Sequence, residues 1–142
     1  AIDWISEQTV QAGKDLIYTV VSQPVMEKRY PGSKRSYIPL KDMKVCGGDI
    51  NSICLANVNY DNPMWHKLID SRKNALKQAA LLGFDTLLLI LLRAITLAQT
   101  EKRVCKRLEV DGLVLPSPYA ELAMDVDKPG QLELLRNDLL KQ

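Results

Sequence analysis

Short apolar runs alternate with amphipathic stretches along this chain, and the alternation predicts interleaved strands and helices. Residues 2–13 place Ile2, Ile5 and Val10 on one side and end at Gly13, so a helix stopped by glycine is expected. Leu16-Ile17-Tyr18-Thr19-Val20-Val21 is rich in β-formers and almost unbroken by charge. That is the mark of a buried strand, as in a parallel sheet. Residues 24–30 read as a short helix opened by Pro24 and closed by the Pro31-Gly32 turn. Residues 37–40 and 43–46 suggest paired extended segments around Lys41-Asp42. Gly47-Gly48 is expected to break that pattern, and residues 50–56 to resume it as a strand.

In the second half, Asn62-Pro63 predicts a helix start by cap and proline, with Trp65, Leu68, Ile69, Leu76 and Ala79 on its apolar face. A break is expected near Asn74 and a stop at Gly83. Residues 84–95 form a very apolar helical stretch. Thr96 and Gln99 fit a capping box for the next helix, whose core side would be Val104, Cys105 and Leu108. Gly112-Leu113-Val114-Leu115 is another short strand. Pro129 then opens a last helix expected to bury Leu132, Leu135 and Leu139. Strands alternating with helices, without an internal repeat, give α/β layers in one domain.

Composition narrows the picture by exclusion. The chain has 142 residues, 46% of them hydrophobic and 25% charged, which is ample for one core. Nineteen basic against 17 acidic residues leave a net charge of +2, giving no reason to expect nucleic acid or a membrane surface as partner. Cys46, Cys54 and Cys105 are odd in number and widely spaced, and His66 is the single histidine. A zinc site is therefore not expected, and a reduced, cytoplasmic chain is. Residues 81–98 are interrupted by Asp85 and Arg93, too short an apolar run to span a bilayer.

The candidate chemistry begins with Met124-Asp125-Val126-Asp127-Lys128-Pro129. Read as an extended segment, it puts Asp125 and Asp127 on one face, with Met124 and Val126 on the other. Two such carboxylates need a compensating cation or open solvent, and magnesium takes one or two carboxylates together with substrate phosphates. On spacing alone the plainer reading is a polar strand end with Asp127 capping the helix. Gly47-Gly48-Asp49-Ile50-Asn51 is the second candidate: the glycines allow close approach of a ligand, and Asp49 and Asn51 could hydrogen-bond a sugar or base. An ordinary glycine turn explains the same residues. Arg72 borders an apolar face, while Lys73 and Lys77 share one at i, i+4, suited to a phosphate-bearing substrate or simply to solvent. Gly32-Ser33-Lys34-Arg35 is a basic turn that could contact phosphate, with a surface loop as the default. No nucleophile arrangement, dinucleotide fingerprint or Walker loop is present.

Together, several motifs resemble the C-terminal part of a MobA-like nucleotidyltransferase. They are Gly32-Ser33-Lys34-Arg35-x-Tyr37, Gly47-Gly48-Asp49-x-Asn51, Ser71-Arg72-Lys73-Asn74-x-Leu76-Lys77, and the run from Ser117-Pro118-Tyr119 to Met124-Asp125-Val126-Asp127-Lys128-Pro129. The resemblance is to the broad superfamily of molybdenum-cofactor guanylyltransferase and the sugar-nucleotide pyrophosphorylases, and it covers nearly the whole chain. The ending is similar to the family's usual Asp-x-Asp-Thr-Pro-Glu-Asp-Leu, with Lys128 replacing threonine and Gly130-Gln131-Leu132 replacing Glu-Asp-Leu.

The resemblance implies a GT-A-like, Rossmann-related α/β fold. It implies transfer of a nucleotidyl group from an NTP, with GTP and CTP as candidates, to a phosphate-bearing acceptor, with magnesium and release of pyrophosphate. Asp127 matches the family's C-terminal metal ligand and Asp125 its helper. Gly47, Gly48, Asp49 and Asn51 fall where the family binds the acceptor; Arg72, Lys73 and Lys77 fall on the helix that follows. The family's glycine-rich NTP loop and its further metal-binding aspartate belong to an N-terminal half with no counterpart here. The expectation is therefore a C-terminal portion, inactive alone and prone to self-association through uncovered edges. Two alternatives belong to other classes: a non-catalytic α/β binding or interaction module, and a GT-A glycosyltransferase.

Overall fold

The computed structural model describes residues 1–54, 83–126 and 129–140. Helix α1 (Ile2–Ala12) ends as its glycine predicts. Gly13 adopts φ 57, and its N–H returns to the Thr9 carbonyl at 3.2 Å. The expected apolar stripe is only partly used, because Ile5 is buried while Ile2 and Val10 stay in solvent.

Four strands form one sheet in the order β2-β3-β1-β4. Strand β1 (Leu16–Ser22) runs through its interior, parallel to β4 (Gly112–Ser117) and antiparallel to β3 (Lys44–Ile53). The sheet is thus mixed rather than wholly parallel. Ile17, Thr19 and Val21 face one side and are completely buried; Val20 is buried on the other. Strand β2 (Ile38–Pro39) pairs antiparallel with β3 across a turn closed by Leu40 N–H on Met43 O at 2.8 Å. Between β1 and β2 lies helix α2 (Gln23–Arg29), with Pro24 in its first turn.

Two cores follow from this alternation. On one face Val21 and Cys46 join Met26, Tyr30, Ala120, Ala123 and Met124. On the other, Val20 and Val45 join Leu40 and Ile95. Each fully buried aliphatic side chain contributes about 1.5–3 kcal/mol, so both faces anchor the sheet.

Helix α3 (Phe84–Leu91) stops short of its predicted end at residue 95. Arg93 takes a left-handed φ of 53, and Ala94 N–H bonds back to Leu89 O at 2.8 Å. The break is tertiary in origin: it releases Ile95 into the second core, where its carbonyl accepts Lys41 N–H at 2.9 Å. Gly83, expected as a stop, adopts φ 91 immediately ahead of α3. Helix α4 (Leu97–Leu108) has the predicted Thr96–Gln99 capping box, and the Asp42 carboxylate also accepts Leu97 N–H at 3.1 Å. Its expected core side, Val104, Cys105 and Leu108, is half-buried.

After β4 the chain makes a short 3-10 turn (Ala120–Ala123) and enters helix α5 (Pro129–Leu139). The inward face of α5 is Gln131, Leu134, Leu135 and Asp138 rather than Leu132, Leu135 and Leu139. Leu132 and Leu139 are exposed because Gln131 and Asp138 have partners on the body of the protein: the Ser33 carbonyl and Arg29. Residues 124–126 are not strand, so Met124 and Val126 do not share a face; Met124 is buried and Val126 exposed. The helix predicted from Asn62 lies outside the described residues. No helix among the described residues is long and apolar enough to cross a membrane.

Candidate functional site

Gly47-Gly48 does not end a strand; β3 continues through it. The predicted disruption is one of register. Tyr18 pairs with Asn51 and Val20 with Gly47, so Gly48, Asp49 and Ile50 all face the single residue Thr19. Neither glycine has positive φ. Their role is steric. A Cβ on Gly48 would come within 3.1 Å of both the Thr19 carbonyl oxygen and Cβ, and one on Gly47 within 2.7 Å of the Tyr18 hydroxyl. The glycines admit β1, not a positive backbone angle.

The bulge would strand two groups of Thr19, which is wholly buried. Its N–H donates instead to Asn51 Oδ1 at 3.0 Å, and its hydroxyl donates to the Ile50 carbonyl. Since the amide oxygen faces Thr19, the NH2 of Asn51 is the end left for other partners, on an exposed residue. Asp49 is exposed beside it. Tyr18, half-exposed across the sheet, has its pKa raised by burial and then by the Asp49 charge. Periodicity marked Tyr18 as core; only its register with Asn51 reveals it as part of this surface.

The second half of the site gathers around the turn at residues 32–35. Gly32 and Lys34 take φ 75 and 54, which swings Arg35 inward. Its guanidinium, 14% exposed, forms an ion pair with Asp125, 39% exposed. Positive charge thus reaches Asp125 from the basic turn. Arg35 also lies against Cys46, whose thiol is pushed up by burial while the guanidinium opposes that shift and the Asp49 charge adds to it. The glycine-aspartate bulge and the basic turn therefore sit within electrostatic reach of one buried cysteine.

The turn is held from several sides. Ser33 donates its N–H to Tyr30 O at 3.1 Å, and its carbonyl accepts Gln131 Nε2 at 3.2 Å. Glu27 accepts Gly32 N–H at 3.4 Å and the Tyr37 hydroxyl at 3.2 Å. Burial, reinforced by that carboxylate, pushes the Tyr37 pKa up to about 12. The Ser33 hydroxyl, which opposes part of that shift, is buried and makes no hydrogen bond of ordinary geometry among the described residues.

Arg35 occupies the Asp125 carboxylate in this structure, so a metal role for Asp125 requires that ion pair to open first. Among the described residues no group of three or more His, Cys, Asp or Glu converges on a metal position. Asp127, Arg72, Lys73, Lys77 and His66 lie outside the described residues. Cys46, Cys54 and Cys105 are all unbridged.

No protein-family profile and no curated protein matches this sequence. Among solved structures, the chain is similar to a hypothetical transferase from Thermus thermophilus, with 30% sequence identity and a TM-score of 0.77. The match covers 90% of this chain and 57% of that one, so the chain spans little more than half the length of its structural neighbour. A transferase-like α/β architecture is the common ground.

Proposed function

We propose that this chain is the C-terminal, acceptor-binding portion of a MobA-like, magnesium-dependent nucleotidyltransferase with a GT-A-like, Rossmann-related fold. The observation that supports this most is the likeness to a transferase over nine-tenths of the chain, combined with Asp49 and Asn51 exposed at the bulge of its sheet. In the reaction, an oxygen of a phosphate-bearing acceptor attacks the α-phosphorus of an NTP. The new P–O bond forms as the bridge to the β-phosphate breaks, and pyrophosphate leaves. Such chemistry needs positioning and charge rather than a covalent nucleophile.

Each residue has a role in that reading. The Asn51 NH2 donates to the acceptor and Asp49 accepts from its hydroxyls. Their spacing is held by the bulge that Gly47 and Gly48 permit. Arg72, Lys73 and Lys77 supply positive charge to phosphate. Asp127 is the proposed magnesium ligand and Asp125 its proposed helper; the ion would neutralise charge building on the phosphoryl oxygens. GTP and CTP are the proposed donors.

The test is a thermal-shift panel on the full-length protein with magnesium, covering the four NTPs and common nucleotide sugars. Stabilisation by one NTP supports the reading. Stabilisation by a nucleotide sugar alone would favour a glycosyltransferase, and none by any ligand a non-catalytic module.

A further inference from the structure

We propose that the turn at residues 32–35 is an anion site, at which a phosphate group takes Arg35 in exchange for Asp125. It deepens the reading above by naming where a phosphate of substrate or product rests. It is tested without nucleotide or metal, so either can fail alone.

The ion pair is lopsided. Arg35 is 14% exposed and anchored within the protein, whereas Asp125 is 39% exposed on a segment without regular structure. Solvent reaches the carboxylate, so an incoming anion can displace it while the guanidinium stays in place. Val126, the next residue, is itself exposed, so the carboxylate has room to withdraw.

A second observation points the same way. The Ser33 hydroxyl, two residues from Arg35, is 1% exposed and, among the described residues, makes no hydrogen bond of ordinary geometry, with the Tyr37 hydroxyl as its polar neighbour. A buried hydroxyl without such a bond is uncommon, which marks this arrangement as incomplete. An acceptor oxygen delivered at the turn would satisfy it. A guanidinium fork with a hydroxyl donor suits a tetrahedral group with several oxygens better than a single carboxylate.

The frame is already rigid. Glu27, Tyr30 and Gln131 hold the backbone of Gly32 and Ser33, so little order has to be gained on binding. No thiolate competes for Arg35, because burial keeps the Cys46 thiol protonated at neutral pH. Glu27 is engaged by Tyr37 and Gly32. Asp125 is then the group that a phosphate must replace, and its departure frees a carboxylate two positions from Asp127.

Calorimetry of the purified chain with inorganic pyrophosphate, in EDTA at low ionic strength, tests the exchange. Asp125→Asn removes the competitor and should tighten binding about tenfold, the equivalent of one charge-assisted contact. Arg35→Met should abolish binding, and Ser33→Ala should weaken it. A purely structural ion pair predicts the opposite for Asp125→Asn, namely no gain. That result, or unchanged binding in Arg35→Met, overturns the proposal. If the variants do not fold, the wild-type protein still decides: the Arg35 Nε–H resonance must move as pyrophosphate is added. A resonance unmoved at millimolar pyrophosphate overturns it equally.

Discussion

Arg35 and Asp125, 90 positions apart, form an ion pair that ties the basic turn after α2 to the segment leading into α5. The guanidinium is the more deeply covered partner. Removing the carboxylate therefore leaves a poorly solvated cation, whereas removing the guanidinium leaves an aspartate that can turn to water. We predict that Asp125→Asn lowers stability by about 2 kcal/mol and Arg35→Met by about 1 kcal/mol, since the pair is only partly buried and methionine keeps the apolar stem. Urea denaturation of both variants checks the order; equal losses would contradict it.

The two glycines of the bulge should differ in kind. Gly48→Ala drives a methyl into the buried Thr19 hydroxyl and against its carbonyl oxygen, and should cost about 2–3 kcal/mol. Gly47→Ala meets only the far end of the Tyr18 side chain, which is half-exposed and can swing away. Its cost should be smaller and should vanish in a Tyr18→Ala background. The corresponding double-mutant cycle must show coupling for Gly47 and none for Gly48.

Asn51 combines a structural and a proposed binding end. Asn51→Ala leaves the buried Thr19 N–H without its acceptor and should cost about 1–3 kcal/mol. Asn51→Asp keeps an acceptor for Thr19 but loses the NH2 donor. It should retain most of the stability while weakening acceptor binding at least tenfold, read by thermal melting alongside calorimetry. An Asn51→Asp protein that binds as well as wild type would confine Asn51 to the sheet.

Tyr37 sets a pH signature. Its folded pKa of about 12 lies above the ordinary tyrosine value of 10.0, so the folded state holds the phenolic proton more tightly. The stability this contributes is fully present below pH 10 and is lost as pH rises through about 12. Denaturant midpoints should fall over that interval, and Tyr37→Phe should flatten the fall. An identical alkaline slope in Tyr37→Phe would assign the effect to other groups.

What the sequence made legible was local. Gly13, the Pro24 helix start, the apolar run of β1 and the Thr96–Gln99 capping box each carry their signal within a few residues, and each folds accordingly. The misses are contacts between distant segments. The end of α3 is set by Ile95 joining a core with Val20 and Val45, and the inward face of α5 by Gln131 meeting Ser33. Helical spacing alone favoured Leu132 and Leu139, which stay exposed. The Gly47-Gly48 motif was visible, but its meaning required the register with β1. Likewise Asp125 announced a need for positive charge without saying that Arg35 would pair with it.

The most direct measurement of the central claim is magnesium-dependent pyrophosphate release by the full-length protein, wild type against Asp127→Asn, with each of the four NTPs and a set of sugar phosphates as acceptors. The account predicts release with one NTP and a phosphate-bearing acceptor, reduced about 100-fold or more in Asp127→Asn, the scale expected when a metal position is lost. Equal release by the two proteins, or none from the folded wild type with any NTP, would contradict it.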